Sequence, residues 1–88
     1  MVKRSSFDMF FDAVLSLENK EQCKAFFEDI CTIKELETIA QRLDVAKMLS
    51  EGSTFNEIVQ QTGASTTTIS RVNRCLNYGE GGYKSVLK

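Results

Sequence analysis

Apolar residues recur along this chain at intervals of three and four, and no stretch alternates apolar with polar, so the pattern predicts an all-α fold. Ser6 is a candidate cap for a first helix over Phe7 to Leu17, with Phe7, Phe10, Phe11 and Val14 on one side. Asn19 caps a second, whose apolar residues are Cys23, Phe26, Phe27 and Ile30. Thr32 with Glu35 forms a capping box that opens the longest helix, Ile33 to Glu51, ended near Gly52. Its stripe reads Leu36, Ile39, Ala40, Leu43 and Ala46, with Leu49 beyond. Thr54 with Glu57 opens a fourth helix that runs to Thr62, and Ser65 caps a fifth that runs to Tyr78. The chain has no proline to interrupt any of these.

The segment from Thr54 to Tyr78 is the part the rest supports. Gly63 supplies a left-handed turn between its two helices, and Ala64 is small enough for them to approach closely. Ile69, Val72 and Leu76 fall within about a 60° arc at roughly 100° per residue, the stripe of a helix lying on a core, and Ile58 pairs with it. That is the pattern of a helix-turn-helix. The opposite face carries Thr67, Ser70, Arg71 and Arg74, with Thr66 and Tyr78 at its margins and no acid. Short hydroxyl side chains near a helix N-terminus suit approach to base edges in a major groove, and guanidiniums further along suit guanine or phosphate. The plainer alternative is the ordinary polar surface of a helical hairpin, with the three threonines as a capping turn.

The 88 residues make a small single domain, organised as N-terminal helices over residues 6–31, a long central helix over 32–52, a helix-turn-helix over 54–78 and a joint with a C-terminal segment over 79–88. So short a chain buries a limited fraction of its surface. Two short helices that each carry an adjacent Phe pair point to a core shared with another chain, a tight intramolecular core being the alternative. After Tyr78, Gly79, Gly81 and Gly82 break the helix, and Tyr83, Val86 and Leu87 mark a candidate last helix. The glycine run lacks the flanking strand and the Gly-Lys-Ser/Thr ending of a phosphate loop and reads as a flexible joint.

Charge changes the picture only when it is divided by region. The net charge of −1 speaks against strong non-specific affinity for nucleic acid. The acids, however, sit in Ser5 to Glu51, with ten acidic and five basic residues, whereas Gly63 to Lys88 has four basic and one acidic. Such a protein depends on two-site geometry and base contacts for useful affinity.

The remaining chemistry is mostly exclusion. Three cysteines, Cys23, Cys31 and Cys75, form no CxxC pair, and with no histidine present they read as reduced thiols, or simply as buried packing residues. No metal site, nucleophile elbow or phosphate loop is present, which excludes the common enzyme constellations. The apolar N-terminal stretch is interrupted by Asp8 and Asp12 and suits neither a signal peptide nor a membrane span, so a cytoplasmic location is expected.

The segment LETIAQRLDVAKMLSEGSTFNEIVQQTGASTTTISRVNRCLNYG resembles the core of the Trp repressor, and the whole chain resembles the small Trp-repressor-related bacterial proteins of the YerC/YecD family. The resemblance implies an intertwined, all-helical homodimer that presents two recognition helices to a palindrome on double-stranded DNA, with half-sites ~34 Å apart. It implies base-approaching roles for Thr66, Thr67 and Ser70 and an effector sandwiched by Arg42 and Arg71. Val72 and Cys75 stand where that family has a small glycine and a serine, and a β-branched side chain there crowds a ring edge. That counts against tryptophan and leaves a different small effector or none.

The expectation is therefore a sequence-specific transcriptional regulator, in the manner of a repressor, with Thr66, Thr67, Ser70 and Arg71 near base edges and Arg74 on phosphate. The alternative is a protein-interaction module that uses the helix-turn-helix as a docking surface, a reading motivated by the acidic N-terminal half.

Overall fold

A computed structural model of the chain describes residues 1–87. Lys88, the last residue of the expected C-terminal segment, lies outside them. The described residues form six helices and no strand: α1 (Arg4–Leu15), α2 (Lys20–Ile30), α3 (Ile33–Ser50), α4 (Phe55–Thr62), α5 (Thr66–Tyr78) and α6 (Gly82–Val86).

Most boundaries follow local chemistry. The Asn19 side chain accepts from the Gln22 backbone N–H at 2.8 Å, and Thr32 and Glu35 exchange hydrogen bonds of 2.8 and 3.1 Å as a reciprocal capping box. At the end of α3 the Gly52 N–H donates to the Leu49 carbonyl and the Ser53 N–H to the Met48 carbonyl, the paired bonds of a Schellman stop. One cap departs from expectation. α1 starts at Arg4 behind Lys3, which offers no side-chain cap, and Ser6 lies inside the helix with its N–H on the Lys3 carbonyl. Backbone continuity through the first turn there outweighs the capping preference of a serine.

The chain divides into two compact units, the first spanning Met1–Leu36 and the second beginning at Glu37. In the first, Phe10 stacks on Phe26 with centroids 6.2 Å apart, and Phe26 meets Phe27 edge-on at 5.4 Å. Yet neither α1 nor α2 contains a buried residue. Phe7 and Phe11 are more than half exposed, and Met9, Leu15 and Ile30 are exposed as well.

The second unit holds a closed core of Val45, Ala46, Ile58, Ala64, Ile69 and Val72, with Met48, Leu49, Val59, Tyr83 and Leu87 packed against it. Leu76 is also buried. The stripe expected on α3 is corrected here. Of its residues only Ala46 is buried, whereas Ile39 and Leu43 are exposed; Val45, outside the expected stripe, joins Ala46 in the core. At about 100° per residue, Val45 lies roughly half a turn around the helix from Leu36 and Leu43, and Leu49 about a third of a turn from Leu43. α3 therefore has two apolar faces, and the less populated one closes the core.

Candidate nucleic-acid interface and effector cavity

The turn between α4 and α5 is built from its own residues. Gly63 takes the left-handed conformation at φ 72°, which a Cβ would oppose, and its N–H donates to the Val59 carbonyl at 2.9 Å. The Thr62 hydroxyl donates to the Ile58 carbonyl at 2.7 Å and accepts from the Ala64 N–H at 3.1 Å. From α3, Gln41 donates its amide to the Thr62 carbonyl at 3.0 Å and so ties the long helix to the turn. Gln41 did not stand out in the sequence, because a lone glutamine among polar helix positions carries no periodic signal.

Both helices of the motif start on firm caps. The Thr54 N–H donates to a Glu57 carboxylate oxygen at 2.7 Å, and the Glu57 N–H donates to the Thr54 hydroxyl at 3.2 Å. The backbone N–H of Thr54, reinforced by its side chain, holds the Glu57 carboxyl below its ordinary range. Glu35 is lowered in the same way by Thr32. On α5 the Ser65 hydroxyl accepts from the Thr68 N–H and donates to the Thr68 hydroxyl, both at 3.1 Å.

These caps aim α5 with Ile69, Val72 and Leu76 inward and Thr66, Thr67, Ser70, Arg71 and Arg74 exposed on the outside. The outer face offers hydroxyls at its N-terminal end and guanidiniums further along, with no carboxylate between them. Tyr78 stands exposed at its far end.

A cavity of about 190 Å³ lies beside that face, lined by Arg42, Thr68, Arg71, Val72, Cys75 and Tyr83. Arg42 and Arg71, far apart in sequence, thus share one space, and Val72 and Cys75 form part of its wall. Two lining residues escaped the sequence reading. Thr68 had a usable signal, since Thr68, Arg71, Val72 and Cys75 follow the i, i+3, i+4, i+7 spacing of a second stripe on α5. Tyr83 had none. Gly81, at φ 82°, turns the chain into α6, with the Ser85 N–H on the Gly81 carbonyl, and only that turn brings Tyr83 onto the core.

Other chemistry is sparse. All three cysteines are free, Cys23 and Cys31 half-buried and Cys75 exposed, so Cys75 is not a packing residue of the core. Among the described residues no group of three or more His, Cys, Asp or Glu could hold a metal, and no helix is long and apolar enough to cross a membrane.

The family model for the Trp repressor protein matches residues 5–88. The chain belongs to the Trp repressor family. It is 55% identical over 80 residues to the uncharacterized protein YerC of Bacillus subtilis (strain 168), covering 91% of this chain and 77% of that protein. Two crystal structures are similar to it as well. A candidate Trp repressor from Staphylococcus aureus superposes with a TM-score of 0.91 at 48% identity, covering 97% of this chain and 85% of that one. A TrpR-like protein from Eubacterium eligens gives a TM-score of 0.91 at 51% identity, covering 96% and 87%. The family is one of DNA-binding regulators rather than enzymes, which agrees with a helix-turn-helix as the best-built part of the molecule.

Proposed function

We propose that the protein is a sequence-specific transcriptional regulator that acts in the cytoplasm as a homodimer and represses by occupying a palindromic operator. The observation that carries this reading is the outer face of α5, where Thr66, Thr67, Ser70, Arg71 and Arg74 are exposed and free of acids while the opposite stripe is buried. Thr66, Thr67, Ser70 and Arg71 approach base edges, and Arg74 contacts phosphate. Homodimerisation is supported by the apolar surface left uncovered: α1 and α2 bury nothing fully, and Ile33, Ile39 and Leu43 of α3 stand exposed. A second copy covers these faces and sets two α5 helices for successive major grooves. Arg42 and Arg71 hold an effector in the cavity they share.

The test is recovery of genomic fragments by the purified protein at low and physiological salt. The expected result is one enriched palindrome with half-sites about one helical turn apart, ~34 Å, and affinity that falls steeply with salt. Thr67→Ala and Ser70→Ala relax specificity at particular base pairs, by about 1 to 3 kcal/mol each. If no sequence is enriched at either salt, the operator reading fails, and the helix-turn-helix is a docking surface for another protein.

A further inference from the structure

The outer face of α5 ends on a side chain that the proposed operator contacts do not use. Tyr78 is 87% exposed, and its phenol makes no hydrogen bond or ring contact with another described residue. Exposure alone means little, since single apolar side chains are common on protein surfaces. Its place around the helix gives it meaning. Tyr78 lies nine residues beyond the fully buried Ile69 and hence, at about 100° per residue, half a turn away from the core. Thr67, Arg71, Arg74 and Tyr78 follow the i, i+4, i+7, i+11 spacing, so one line down α5 runs from a hydroxyl through two guanidiniums to a phenol. The nearest acid along the chain, Glu80, comes after the helix has ended.

Length along that line decides what Tyr78 can reach. At 1.5 Å per residue, Thr67 and Tyr78 are about 16 Å apart, whereas the major groove is about 12 Å wide. With Thr67 at base edges, Tyr78 therefore stands past the groove and level with its sugar-phosphate wall, where a phenol O–H can donate to a phosphate oxygen. The C-terminal end of a helix by itself disfavours an anion, because its last carbonyls carry partial negative charge. A helical side chain, however, leans toward the N-terminus and covers the preceding turn, which carries the phenol toward Arg74 and away from those carbonyls. The backbone also clears the way. The Gly79 N–H closes on the Cys75 carbonyl at 2.9 Å, and a Cβ at Gly79 would run into that carbonyl, so the chain leaves α5 directly behind Tyr78. The next side chains that pack, Tyr83 and Leu87, do so against the core.

We infer that Tyr78 is a further DNA-contacting residue, an uncharged clamp that donates its phenol O–H to the phosphate wall of the groove beside Arg74. This role rests on the operator reading and adds to it a contact of a different kind. A guanidinium that meets a phosphate releases condensed counterions, and a phenol releases none, so Tyr78 holds register and strengthens binding without a share in its salt dependence.

The experiment is a salt series of binding isotherms for the full chain, Tyr78→Phe and Arg74→Gln. Two duplexes are used, one carrying the palindrome recovered from genomic fragments and one of the same composition with that palindrome scrambled. Tyr78→Phe keeps the ring and loses the donor, and it is expected to weaken binding about tenfold or more, by the same factor on both duplexes and at every salt concentration. Arg74→Gln is expected to reduce the slope of log affinity against log salt by about 1. Thermal stability and self-association of Tyr78→Phe stay at parental values, because no contact within the chain uses the phenol. Affinity of Tyr78→Phe equal to the parent's, a loss confined to the palindrome, a slope reduced as in Arg74→Gln, or a weakened self-association would each overturn the inference, the last by placing Tyr78 against a second copy. A parent that binds the palindrome while Tyr78→Phe binds it equally well removes the clamp alone, whereas a parent that binds no duplex at either salt extreme removes the operator reading and the clamp with it.

Discussion

The two units of this chain follow the same pattern of apolar residues at helical spacing and end differently. From Glu37 onward the pattern closes on itself, and Val45, Ile58 and Ile69 have no exposed surface. Over Met1–Leu36 it does not close: aromatic rings touch within the unit, but α1 and α2 bury no residue fully. Amphipathic helices encode that a face will be covered and leave open by what. Closure from within gives the second unit a core of its own, while the first leaves its apolar faces to a second surface, which the proposed homodimer supplies.

The largest effect that tests this contrast comes from the closed core. Ile69→Ala should lower unfolding stability by about 2 to 5 kcal/mol, because the truncation leaves a void that packed neighbours fill only partly. Denaturant titrations should show that loss at every protein concentration. Phe7→Ala combined with Phe11→Ala should behave otherwise, weakening self-association by about tenfold or more, with a stability deficit that grows on dilution. Sedimentation across a concentration series measures it, and a deficit independent of concentration would erase the distinction between the two units.

A smaller change probes how the closed unit aims its recognition helix. Gln41→Glu is nearly isosteric, removes the amide donor and sets an acceptor against the Thr62 carbonyl, at a cost of about 1 to 3 kcal/mol. Operator affinity should fall in that variant while helix content by circular dichroism is kept; unchanged affinity would mean that the tie from α3 does not orient the turn.

The smallest effect is a pH dependence. Glu57 and Glu35 have carboxyls held below the ordinary range by the backbone N–H groups they cap, so their contribution is fully present above the unfolded-state value and is lost as pH falls through the lower folded-state value. Glu57→Gln keeps a capping acceptor without the titration and should flatten part of the loss of thermal stability on acidification. An acid profile identical to that of the parent would remove this role from Glu57.

What could be read from the chain follows the range of the interactions involved. The turn of the helix-turn-helix was legible because its parts, from Thr54 and Glu57 through Gly63 to Ser65, act within a few residues of one another. Ser6 misled because a hydroxyl can cap only if the helix has not already begun, and the preceding turn decides that. The α3 stripe misled because that helix carries apolar residues on two faces, and a count of apolar positions cannot say which face meets α4 and α5.

By itself, then, the sequence determined the helices, most of their caps, the turn at Gly63 and the acid-free face of α5, because each depends on hydrogen bonds and periodicity within one or two helical turns. Only the tertiary structure decided that Val45 rather than Leu43 closes the core, that Gln41 reaches the Thr62 carbonyl, and that Tyr83 joins Arg42 and Arg71 around one cavity. Those contacts join residues distant along the chain, and which pairs meet is settled by the packing of whole helices rather than by the preferences of any one of them.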